Sequence, residues 1–157
     1  CGIERTYDYY GKNYKKIVGV EDFINLNNNL TQIIKFHGDF SDENSIVLTE
    51  KSYFDRLEFE SPLDIKLRSD IIGKSILFLG YSLKDINMRI LMYKLYKLWK
   101  DQQCQAPESY IFLGKPNEVQ ETILANRGII SIISKDDNPS KGLEMFLLDL
   151  INSVNEL

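Results

Sequence analysis

The sequence predicts an α/β fold built on a mostly parallel sheet. Four short apolar runs lead there first: Gln32 to Phe36, Ser75 to Leu79, Ser109 to Leu113 and Gly128 to Ser134. Each has strand length and little internal alternation, the pattern of strands buried on both faces. Stretches with helical spacing lie between them. Strands alternating with helices of this length make βαβ units with right-handed crossovers.

The elements follow in chain order. Residues 1 to 16 carry Tyr7, Tyr9, Tyr10, Tyr14, Lys15 and Lys16 and read as a continuing fold rather than a polar tether. The chain begins at Cys1, which fits a lipid-modified mature start or a piece of a longer protein. The tyrosine-rich opening favours the piece. Gln32 to Phe36 then runs into His37-Gly38-Asp39, and Asp42 to Ser45 is a polar loop. Within Thr49-Glu50-Lys51-Ser52-Tyr53, Thr49 or Ser52 is expected to cap a helix.

Pro62 to Ile72 opens on proline and closes at Gly73, the expected asymmetry of a helix start and stop. Asp85 to Lys100 has the clearest helical pattern. Met88, Leu91, Met92, Leu95, Leu98 and Trp99 share one face at three- and four-residue spacing. Lys94, Lys97 and Lys100 lie off that face, toward the end where the helix dipole favours cations. Pro116 to Asn126 is the next helix, stopped by Gly128. Lys135 to Lys141 is a polar loop, and Ser140 to Val154 is a terminal amphipathic helix with Leu143, Phe146, Leu147, Leu150 and Ile151 inward. The chain holds no internal repeat, low-complexity tract or long linker.

Bulk properties narrow the function. The 157 residues fit one domain, 1–157, with a real core. At 43% hydrophobic and 27% charged the composition is globular rather than disordered. A net charge of -4 argues against nucleic acid as a partner, because such binding works by neutralising phosphates. No apolar run approaches the roughly 20 residues that span a bilayer, and the opening does not read as a secretory signal. Cys1 and Cys104 form no disulfide framework and, with a single histidine, make a poor zinc set. A reducing, cytoplasmic setting follows as the simpler expectation.

Two runs carry the chemistry. His37 is the chain's sole histidine and ends an apolar strand. Imidazole is the side chain whose ordinary pKa lies near physiological pH, so His37 is a general-base candidate. Gly38 removes side-chain bulk and lets a ligand approach the backbone. The alternative is a histidine that merely caps a strand through a backbone carbonyl. The second run, Gly80-Tyr81-Ser82, follows a strand and opens a helix. Backbone N–H groups at such a start bind phosphate or ribose oxygens, and the Ser82 hydroxyl is placed to join them. Ser82-x-x-Asp85 is equally a capping-box-like spacing. Both runs are expected at one sheet edge, where open α/β folds build their sites. The acidic residues Asp39, Asp42, Glu43 and Glu50 are expected in a solvated loop. No G-x-G-x-x-G, P-loop, Ser-His-Asp order or Cys-His metal spacing occurs.

Phe36-His37-Gly38-Asp39, then Ile46-Val47-Leu48-Thr49 and Tyr53, then Phe78-Leu79-Gly80-Tyr81-Ser82-Leu83-x-Asp85-x-Asn87 together resemble the SIR2-like domain of bacterial proteins. These are distant relatives of the sirtuins, and many serve in anti-phage defence. The resemblance runs from about residue 20 to the C-terminus. It implies a Rossmann-like three-layer sandwich that binds NAD as substrate, with no metal. His37 matches the family's catalytic histidine. Gly80, Tyr81 and Ser82 match its Gly-x-Ser-Leu motif, which contacts the adenosine side of NAD.

Several defence members cleave the N-glycosidic bond of NAD, whereas classical sirtuins deacylate lysine and carry a four-cysteine zinc module. This chain's two cysteines favour the hydrolase branch. The family's Gly-Ala-Gly-type loop and Thr-x-Asn-x-Asp motif do not occur in this sequence. The chain is therefore expected to be a partial domain lacking the N-terminal half of the fold, inactive alone and inclined to self-associate through an uncovered sheet edge. A non-catalytic nucleotide-binding or interaction module is the alternative, and a sirtuin-type protein deacylase a third.

Overall fold

A computed structural model describes residues 2–24, 29–47, 49, 61–81 and 86–156. It divides into two compact units, Cys1–Ser69 and Asp70–Leu157. The expected alternation of helices with parallel strands is present in both, and among the described residues no barrel closes.

The first unit opens on helix α1, Gly2–Tyr9, which leads to strand β1, Tyr14–Ile17. Sequence reasoning missed both, because α1 has only eight residues and buries none of them, and β1 is polar at its centre. β1 reads Tyr-Lys-Lys-Ile and buries only its last residue. A 3-10 turn, Glu21–Phe23, precedes β2, Thr31–Ile34. The two strands pair in parallel from Tyr14↔Thr31 to Ile17↔Ile34. Lys35 N continues the ladder to the Ile17 carbonyl at 2.9 Å. Ile17 and Ile33 are the buried side chains of this pair. The predicted strand ran on to Phe36; it stops at Ile34 because the chain enters a turn there. Beyond it lies a second 3-10 turn, Glu43–Ser45.

Helix α2, Pro62–Gly73, begins in the first unit and ends in the second. Ser61 caps it, its Oγ accepting from Asp64 N at 3.2 Å, and Pro62 occupies the first helical position as expected.

The second unit is a three-stranded parallel sheet in the order β3-β4-β5: Ile76–Phe78, Ser109–Leu113 and Ile129–Ile133. Helix α3, Ile86–Asp101, connects β3 to β4, and α4, Glu118–Ala125, connects β4 to β5; α5, Pro139–Asn155, follows. The core joins Phe78, Met92, Ile111, Leu113, Leu124 and Ile129. Full burial of such side chains contributes about 1.5–3 kcal/mol each. Phe112, on the sheet's other face, stacks on Phe146 of α5 with ring centroids 5.4 Å apart.

Two expectations change here. The apolar runs predicted strands buried on both faces, and only the central strand β4 meets that. Leu77 of β3, Leu79 just past it and Ile130 of β5 are exposed, since alternate residues of a strand face opposite sides and one side is covered less. Among the described residues the strands also fall into two sheets, of two and three strands. Apolar runs report that a strand is buried; they do not report which strand lies beside it.

Candidate functional site

His37 sits where the sequence placed it, just past the C-terminal end of a parallel strand, and it is exposed. Gly38 N donates to the Lys35 carbonyl at 3.2 Å, so Lys35–Gly38 is a β-turn with Phe36 and His37 at its centre. The His37 carbonyl accepts from Val47 N at 3.3 Å. That fixes the backbone of the turn and leaves the imidazole to solvent.

Gly38 has φ +84°, and an added Cβ would lie 2.3 Å from the Ser45 carbonyl oxygen. The close approach predicted at this glycine is therefore made by the chain's own backbone. Asp39 N donates to Ser45 Oγ at 2.9 Å, and Ser45 Oγ donates to the Asp42 carbonyl at 2.6 Å. These bonds tie the 3-10 turn against the histidine's turn.

Asp39 departs from the solvated loop expected of it. Its Oδ2 meets Lys35 Nζ at 2.7 Å and Lys16 Nζ at 3.1 Å. Lys35 Nζ also meets Glu4 Oε2 of α1 at 2.6 Å. Lys35, chiefly, holds the Asp39 carboxyl well below the usual carboxylate range, and Asp39 in turn raises the Lys35 ammonium. Lys35 likewise lowers Glu4. Sequence reasoning missed Glu4, Lys16 and Lys35. The signal available was the four-residue spacing of Lys35 and Asp39 across the histidine. At the end of the neighbouring strand, Val18 N and Gly19 N donate to Asp22 Oδ2 at 2.8 and 3.2 Å, which lowers that carboxyl too.

In the second unit Gly80 follows β3 at the strand's C-terminal end with φ +63°, exposed and with open space beside its Cα. The Tyr81 ring stacks on Phe78 at 5.8 Å between centroids and packs against the core. Ser82 and Asp85 lie outside the described residues, as do Glu50, Ser52 and Tyr53. The loops after β4 and β5 are each ordered by a cap. Asn117 Oδ1 accepts from Gln120 N at 3.0 Å, and Asn138 Oδ1 accepts from Ser140 N at 3.0 Å. A cavity of about 400 Å³ runs along α3, bounded by Tyr93, Tyr96, Arg89 and Arg127. None of the described site residues, His37, Gly38, Gly80 and Tyr81, lines it.

Among the described residues no cluster of three or more histidine, cysteine or carboxylate side chains could hold a metal ion. Among them, too, no helix is long and apolar enough to cross a membrane.

A family model described as the SIR2-like domain matches residues 3–132, which takes in both motif runs. The chain belongs to the SIR2-like domain family. It is also 29% identical over 119 residues to the NAD(+) hydrolase ThsA of Cytobacillus dafuensis. That match covers 75% of this chain and 24% of the relative, so the chain spans about a quarter of the relative's length.

Proposed function

We propose that the full-length gene product is an NAD+ hydrolase of the SIR2-like class, acting in anti-phage defence by depleting NAD in the cytoplasm. The observation that carries this is His37 of the His-Gly motif. It is exposed on a turn at a strand's C-terminal end, in a chain related to an NAD+ hydrolase. Gly38 shapes that turn. Gly80, Tyr81 and Ser82 are assigned to the adenosine half of NAD, supplying orientation. The partner is NAD, with neither nucleic acid nor membrane involved.

The chemistry is a substitution at the nicotinamide ribose. The C1′–N bond breaks through an oxocarbenium-like state, as in glycoside hydrolysis. Its electron pair neutralises the pyridinium, and nicotinamide leaves uncharged. Water attacks C1′ and gives its proton to the His37 imidazole. General-base catalysis of this kind contributes on the order of a hundred- to ten-thousand-fold.

The test is nicotinamide release from NAD by the full-length gene product, its His37→Ala variant and the 157-residue chain alone. His37→Ala is expected to lose turnover by roughly that factor with its circular dichroism spectrum unchanged. The chain alone is expected to be inert, because this sequence carries no glycine-rich diphosphate loop. Wild-type turnover by His37→Ala refutes the assignment. A full-length protein that binds NAD and never cleaves it favours the nucleotide-binding module instead.

A further inference from the structure

The turn that presents His37 is closed twice. The backbone closes it once, Gly38 N to the Lys35 carbonyl at 3.2 Å. The side chains close it again, Lys35 Nζ to Asp39 Oδ2 at 2.7 Å. Lysine and aspartate thus stand two residues before and two after the histidine. Both ends of this clamp are anchored elsewhere in the same unit. Lys35 Nζ also meets Glu4 of α1, Asp39 Oδ2 also meets Lys16 of β1, and the Asp39 backbone N–H donates to the Ser45 hydroxyl. The Lys35 and Asp39 side chains are each 13% exposed, so salt screens them far less than a surface pair. His37 itself is exposed. A rigid frame around an exposed imidazole is what a base needs when a misplacement of about 1 Å costs on the order of a hundredfold in rate.

We propose that Lys35 and Asp39 are positioning residues for His37, their ion pair holding the Lys35–Gly38 turn in the conformation that presents the imidazole to substrate. This rests on the reading of His37 as the base. A pair that served only to stabilise the fold would leave kcat unchanged in variants that still fold.

The experiment measures kcat and KM for NAD cleavage, with melting temperature alongside, in the full-length gene product and in Asp39→Asn, Lys35→Met, Lys35→Arg and His37→Ala. Asp39→Asn and Lys35→Met are expected to lower kcat by roughly 10- to 100-fold while KM stays within about twofold, the signature of a lost transition-state contribution. Lys35→Arg keeps the charge and is expected to restore most of kcat. If His37→Ala cleaves NAD like the wild type, or the wild type is inert, the reading of His37 falls and this proposal with it. If His37→Ala is dead while folded Asp39→Asn keeps wild-type kcat, the clamp is overturned and the reading of His37 stands. Should Asp39→Asn not fold, Lys35→Met decides from the other end of the pair, and wild-type kcat in folded Lys35→Met overturns the proposal.

Discussion

At Gly38 the Ser45–Ile46 backbone takes the space a side chain would need, with Ser45 O at 2.3 Å and Ile46 Cα at 2.8 Å from an added Cβ. Gly80 has a similar positive φ and open space around it. The two glycines therefore separate two costs. Gly80→Ala meets only the left-handed backbone penalty of about 1–2 kcal/mol. Gly38→Ala meets that penalty and a clash with main-chain atoms that no rotamer relieves. Urea unfolding of the two variants is expected to show the larger loss at Gly38. Equal losses would mean that the Ser45 turn yields freely and does not brace the histidine.

At the scale of elements, helices α2 to α5 were legible to within a residue or two, α1 was not, and the inward faces were less so. Asp85 to Lys100 was predicted and Ile86–Asp101 is observed. Leu95 is 3% exposed as expected, whereas Leu98 is 45% exposed. Periodicity finds an apolar stripe, but the width of the stripe that is covered depends on the neighbouring element. The same holds in α5, where Leu143, Phe146 and Leu147 are partly buried while Leu150 and Ile151 are exposed. α5 also starts one residue earlier than predicted, because Asn138 rather than the chain beyond it supplies the cap. Leu95→Ala is expected to cost about 2–5 kcal/mol, as buried leucines do. Leu98→Ala, one turn on, is expected to stay within about 0.5 kcal/mol. Chemical denaturation checks both. A large loss at Leu98 would mean that its face is covered in the full-length protein.

Across the whole molecule the fold class was legible because βαβ alternation is a long-range pattern with few solutions. The ion-pair frame around His37 was not, because Glu4 of α1, Lys16 of β1 and the Lys35–Asp39 turn are three places that only folding brings together. The frame has a consequence for acid stability. Glu4, Asp22 and Asp39 of the first unit are held below their ordinary values, by Lys35, by the Val18 N–H and by Lys35 respectively. In the second unit Asp136 is lowered, chiefly by the Asn138 N–H. A carboxyl lowered on folding contributes stability that is complete above its unfolded pKa, about 4, and that is lost as pH falls below it toward the folded value. Stability should therefore hold from neutral pH to about 4 and decline below it. The decline should begin in the first unit, where three of these carboxyls share one sheet edge and its approach. Hydrogen exchange read by mass spectrometry between neutral pH and about 3 is expected to show the β1–β2 ladder losing protection before the β3–β4–β5 ladder. In Asp39→Asn the pH dependence of β1–β2 protection should flatten, since the amide does not titrate. If that variant keeps the full wild-type slope, Asp39 is not the group that links protonation to the opening of the first unit.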